Sequence, residues 1–161
     1  MRKCSRLLCI VMAAASCFAA VQPDRGKQPA AGRAQVLQRA AKLASSNPVE
    51  AAGAAYWLGE QYEAAEPAIP QLIAALADDR PVDSSRIRRE RHSIARRQMT
   101  SPGEEAAVAL TKIGDPAVEA LIAVVRNSGN AVARRNAVAA LGAIQARRTS
   151  SSERKITRRV A

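Results

Sequence analysis

Apolar residues recur along this chain in stripes spaced three and four positions apart, and two of the stripes are near copies. Ile69, Leu72, Ile73 and Leu76, in PAIPQLIAAL, share their spacing with Val118, Leu121, Ile122 and Val125, in PAVEALIAVV. That spacing gathers the four side chains on one face of an α-helix. A second kind of stripe uses smaller residues. Ala106, Ala109, Leu110 and Ile113 are repeated by Ala137, Ala140, Leu141 and Ile144, and Ala54, Trp57 and Leu58 begin a third copy. Alanine faces let helices approach closely, while Leu and Ile of a partner helix fill the layer between them. The alternation of the two stripes predicts αα-hairpins in an all-α fold.

Punctuation agrees with periodicity. Asn47-Pro48, Ser101-Pro102 and Asp115-Pro116 each set a capping side chain before a proline at the first helical position, where a missing N–H costs nothing. Ser101 with Glu104 reads as a capping box, and Glu104 and Glu105 suit the positive end of that helix. Gly114 and Gly129 are placed to stop the preceding helices. Upstream, Val36, Leu37, Ala40, Ala41 and Leu43 give Ala34 to Leu43 an apolar face able to cap the N-terminal end of the array.

With these features in view, LTKIGDPAVEALIAVV, NAVAALGAI and WLGEQYEAAEPAIPQLIAAL resemble the short HEAT-like repeats, of roughly thirty residues, that also occur in phycobilisome lyases. The resemblance covers residues 47–77 and 101–144. It implies a short α-solenoid of about two and a half hairpins, a family architecture whose surface binds other proteins and, in some members, bilins or nucleic acid. No catalytic motif belongs to the repeat, so none is carried over. Two departures stand out. Residues 78–100 form an insertion far longer than the roughly 2–8 residues usual between bundle helices. After Ile144 the expected large-residue stripe falls on Thr149, Ser152, Glu153 and Ile156, of which only the last is apolar. The third hairpin is therefore expected to lack its second helix, leaving an open C-terminal repeat as a self-association site; an interrupted reading frame is the competing explanation.

The start of the chain has a different character. Arg2, Lys3 and Arg6 precede the apolar run Leu7 to Val21, the pattern of a secretory signal and shorter than the roughly 20 residues that span a bilayer. Residues 1–20 are expected to be a signal peptide directing the chain to the bacterial periplasm or cell envelope, and 21–32 a linker. Ala14-Ala15-Ser16-Cys17 resembles a lipobox, with Ala where Leu is usual; lipidation at Cys17 competes with cleavage after Ala19. All three cysteines lie in this segment, so the remainder has no disulfide framework.

Charge changes the picture less than its total suggests. The net charge is +11, but the repeats are nearly neutral. The excess sits in the insertion, with Arg86, Arg88, Arg89, Arg91, Arg96 and Arg97 against Asp83 and Glu90. It sits also in a basic tail, residues 146–161, expected to be disordered. A protein gripping a duplex along its groove needs fixed cations on the repeat helices, so nucleic acid is disfavoured; anionic lipid or another polyanion remains open through insert and tail. His92, the sole histidine, stands among arginines without an orienting acid, so no catalytic, cofactor or metal residue is assigned. Tyr56 and Tyr62, rings clustered with Trp57, and the repeat-borne cations Arg134 and Arg135 are the candidate partner-binding residues. The sequence points to a non-catalytic protein-binding scaffold without cofactor. The alternatives are a cationic nucleic-acid or anionic-surface binder and an accessory subunit of a lyase-like cofactor attachment system.

Overall fold

The computed structural model describes residues 32–87 and 99–160. The chain is mostly helical, in keeping with an all-α fold. In order come α1 (Arg33–Ala41), α2 (Pro48–Gly59), α3 (Ile69–Ala75), a two-strand ladder β1 (Val82–Asp83) and β2 (Met99–Thr100), α4 (Pro102–Ile113), α5 (Val118–Asn127) and α6 (Ala131–Val160). α4 lies between α2 and α6; α3 packs on α4 and α5, and α5 on α6. The alanine-faced helices therefore form one row and the Leu/Ile helices lie against it.

The starts of α2, α4 and α6 are fixed by local side-chain caps. The Asn47 side chain accepts from the Val49 N–H at 3.0 Å, and Ser101 Oγ from the Glu104 N–H at 3.2 Å. Asn130 Oδ1 accepts from Val132 and Ala133 at 2.8 and 3.0 Å, capping α6. Asp115 caps nothing: Asp115–Ala117 is a 3-10 turn, and α5 begins at Val118 with no side-chain cap. The expected helix over residues 67–76 is likewise divided, because Pro67 and Pro70 leave two amides unable to donate; a 3-10 run, Tyr62–Ala68, precedes α3. Gly114 ends α4 at φ +85°, where a side chain would be strained.

The stripes meet in one core. Leu58, Leu72, Leu76, Leu110 and Leu121 are fully buried, with Ala54, Ala106, Ala109, Ala137 and Ala140 between them. The alanine faces touch closely: a Cβ built on Gly59 would stand 3.1 Å from Ala109 Cα. Val36, Ala40 and Leu43 are buried, so the segment before α2 closes that end of the core, while Leu37 stays exposed. Trp57 is half-buried against the core under the Arg39 guanidinium, 5.2 Å from its ring centroid.

Two regions carry elements that the stripes alone do not give. The insertion has a structured base: Val82 pairs with Thr100 and Asp83 with Met99, and Val82 is buried. The residues after 145 are described as part of α6, which spans Ala131–Val160. Ala131 to Ile144 are held by α4 and α5, so the costly helix nucleus is already formed, and Arg and Lys propagate it well.

Where α3 ends and α4 and α6 begin, three backbones and one side chain converge. Asn136, buried, donates from Nδ2 to the Leu76 carbonyl at 2.9 Å, and the Gly103 N–H donates to the Asp78 carbonyl at 2.9 Å. A Cβ on Gly103 would lie 2.7 Å from Leu76 O and 2.8 Å from both Asn136 Nδ2 and Asp78 O. Gly103→Ala is expected to destabilise the fold by about 1–3 kcal/mol through overpacking. Gly53→Ala, where the added carbon meets nothing within 4 Å, should stabilise it by about 0.5–1 kcal/mol through helix propensity. Thermal unfolding followed by circular dichroism reads both; shifts of the same sign would contradict the crowding at Gly103.

Candidate functional site

Two grooves on the described surface gather charged side chains. One, about 570 Å³, opens at the C-terminal end of α4 and is lined by Glu63, Glu66, Lys112, Asp115, Arg147 and Arg148 among others. Its lining carries charges of both signs. Arg147 Nη1 donates to the Thr111 carbonyl at 2.7 Å, satisfying a helix end that has run out of internal donors. Arg148 reaches Asp115 Oδ1 through Nε and Nη2 at 3.0 and 2.7 Å. Lys112 donates to Glu60 and stands 5.7 Å from the Tyr56 ring centroid. The three cations thus lock α4 to its neighbours, and the exposed Glu63 and Glu66 face the same space.

The smaller groove, about 390 Å³, is lined mainly by Ala40, Leu43, Ala74 and Ala75 and ends at Asp78 and Arg80. Arg80 donates to the Ser46 carbonyl, to the Ser45 carbonyl at 3.0 Å, and to both Asp78 oxygens at 2.9 and 2.6 Å. One guanidinium thereby ties the root of the insertion to the turn between α1 and α2. Its hydrogen bonds hold the Asp78 carboxyl below the ordinary carboxylate value, against a smaller opposing effect of burial, and raise the arginine in turn.

The sequence-derived candidates do not form one site. Tyr56 lies on α2 and Tyr62 just beyond it, where the row ends with the C-terminus of α4. Arg134 and Arg135 lie at the start of α6, the end of the row at which α4 begins; Arg134 Nη1 donates to the Ser128 carbonyl at 2.7 Å, and Arg135 comes within 4.0 Å of Glu104. The length of α4, roughly 18 Å, separates the pairs. Tyr62 is notable for another reason: it is half exposed and holds φ +51°, a left-handed conformation that costs a non-glycine residue about 1–2 kcal/mol. Cys17, His92 and the arginines of 88–98 lie outside the described residues.

Reading the sequence for stripes missed the groove. Its acids and cations come from the 3-10 run, the last turn of α4, the α4–α5 turn and α6, and no motif marks them. A signal existed: Arg147 and Arg148 follow Ala140 and Ile144 at the same helical spacing. Among the described residues, no helix is long and apolar enough to cross a membrane, and no group of three His, Cys, Asp or Glu side chains is placed to hold a metal ion. Comparison with protein-family models, curated proteins and solved structures gives no match for the chain.

Acid should loosen the root of the insertion. Because the folded Asp78 carboxyl is more acidic than the unfolded one, its contribution to stability is present above the ordinary carboxylate range and is lost as pH falls through the folded value. Asp78→Asn is expected to flatten the acid limb of the stability curve below about pH 4. Arg80→Gln should lower the melting temperature at neutral pH and speed proteolysis of the insertion. A variant with an unchanged acid limb would remove Asp78 from the account. Separately, Tyr62→Gly should hold or raise the melting temperature, by up to about 1 kcal/mol of relieved strain, where Tyr62→Ala should not.

Proposed function

We propose that this chain is a non-catalytic protein-binding scaffold: a short α-solenoid of HEAT-like helix pairs, exported to the bacterial cell envelope, that presents its stacked helices to a partner protein. The observation that carries the reading is the position of α4, held between α2 and α6 along matching alanine faces while α3 and α5 pack beside the row. Such an array gives a continuous surface whose shape is set by nearest-neighbour packing and does not depend on one enclosed cleft. Export is supported by the sequence of residues 1–20 alone.

Exposed apolar residues supply a docking patch. Val108 on α4 is 42% exposed and Val138 on α6 is 55% exposed. Neighbouring helices of the row carry them, with the Arg135–Glu104 pair beside them. Tyr62 adds a half-exposed ring whose strained backbone supports a role other than packing. An apolar patch with a charged rim is the usual anatomy of a protein interface.

Replacement of Val108 and Val138 by Glu is expected to leave helicity intact and to weaken partner capture by tenfold or more, about 1.4 kcal/mol. Capture by the unaltered chain should survive moderate salt. In a pull-down from envelope extract followed by titration with the recovered partner, binding that collapses with salt and ignores both valines would overturn the scaffold reading and favour the cationic one.

A further inference from the structure

We propose that the chain pairs with a second copy of itself, face to face through the row of α2, α4 and α6, around a two-fold axis that crosses the row at Val108 and Val138. The inference rests on the scaffold reading and names the partner of its exposed row surface.

Packing sets that surface. α4 is flanked by α2 and α6 and also packs on α3, which leaves one strip of it to solvent. Glu104, Val108 and Lys112 follow one another along the strip at four-residue spacing. Glu104 and Val108 are exposed, and Lys112 keeps 26% of its side chain in solvent. Each charge leans toward a different neighbour. Glu104 lies 4.0 Å from Arg135 of α6, and Lys112 pairs with Glu60 at the end of α2, beside the Tyr56 ring. Because Glu104 meets Arg135 while the Thr111 carbonyl accepts from Arg147, α4 and α6 run in the same direction. Val138, one turn beyond Arg135, therefore stands beside Val108, one turn beyond Glu104, and both are exposed.

The strip is its own complement. Read forwards it goes acid, apolar, base at equal spacing, and read backwards it goes base, apolar, acid. When a second copy is turned end for end onto the first, Val108 meets Val108 and each Glu104 meets the Lys112 of the other copy. The pairs already made within each chain extend the contact into a run of alternating sign: Arg135, Glu104, then Lys112 and Glu60 of the second copy. A parallel arrangement instead sets Glu104 against Glu104 and Lys112 against Lys112, so charge selects the antiparallel one. On α6 the same rotation brings Arg135 opposite Gly142, where an added Cβ would meet nothing within 4 Å. The exposed Ala139 and Ala143 beside it leave space for the guanidinium.

Footprint sets the strength. α4 is roughly 18 Å long, and the row from α2 to α6 spans two interaxial steps of about 8–10 Å each. A contact of that extent falls in the class that buries less than about 1,200 Å² in total. Exposed ion pairs add little to affinity and act on orientation instead. The pairing is therefore reversible, with a Kd on the order of 10–100 μM.

Sedimentation velocity of the full chain, from well below to well above that concentration range, provides the test. The mass is expected to rise from one chain to two. Glu104→Lys alone and Lys112→Glu alone should each raise the Kd by about tenfold or more. An equimolar mixture of the two should pair again, because every meeting of positions 104 and 112 is then acid with base. Where either variant loses its helicity, Val108→Cys supplies a second reading: mild oxidation should join position 108 of two copies, identified by peptide mass. A chain that stays monomeric throughout, pairing indifferent to both charge changes, a mixture of two helical variants that does not pair, or a position 108 that does not cross-link would overturn the inference. If the chain stays monomeric yet captures a different protein through Val108 and Val138, the inference falls and the scaffold reading stands. If Val108→Glu with Val138→Glu changes neither self-association nor capture, both fall.

Discussion

The arrangement of the helices depends on how the buried end of α3 finds a donor. The Leu76 carbonyl belongs to a turn of backbone that has left the helix and entered the core, where an unpaired acceptor costs on the order of 1–3 kcal/mol. Asn136, sixty residues away, supplies the donor. It does so only because α6 begins at that depth, and α6 can begin there only because Gly103 leaves no side chain between them. The polar contact is a registry device as much as a source of stability. Alanine faces slide past one another with little change in energy, whereas an Asn facing a carbonyl accepts one register.

The insertion becomes intelligible from the same junction. Asp78 uses its backbone carbonyl on Gly103 and its carboxylate on Arg80, and Arg80 passes the restraint to Ser45 and Ser46. Val82 is buried and pairs with Thr100 immediately before the α4 cap. The two ends of a long connection are thereby fixed beside each other. The entropy of closing a loop grows only slowly with its length, so residues between them are free to vary in number and charge without moving α4. An arginine-rich sequence can be carried here without entering the core.

What was legible in the sequence is what local periodicity and local capping encode. The stripes of α4, α5 and the first half of α6, and the caps at Asn47 and Ser101, each depend on residues within a turn or two. Asn136 and Gly103 were illegible for the opposite reason: each looks like a weak helix residue until its distant neighbours are known. Asp115 misled because an acid before Pro116 has a strong local preference, and Arg148 outbid it from thirty-three positions away. Composition alone says little over the tail. A run of Ser followed by Arg and Lys resembles a solvated segment, yet a helix already nucleated by packing extends through such residues at small cost per step. Of the candidate site residues, Tyr62 was found for its ring, while its left-handed backbone had no signature in the sequence.

The change of character along α6 ties these threads together. A helix that leaves a packed core needs polar side chains on its solvated faces, and scattered charge of either sign would serve. Here the cation positions gather on the side that continues the buried face, while the far side of the extension takes Glu153, Ile156 and Val160. Solubility alone favours no such sorting, since it is indifferent to which side faces the body. Repulsion within the helix opposes it. Register accounts for the sorting: the side of α6 that carries Ala133, Ala137, Ala140 and Ile144 into the core continues through positions 147, 148, 154, 155, 158 and 159, so one helical face serves burial first and charge afterwards.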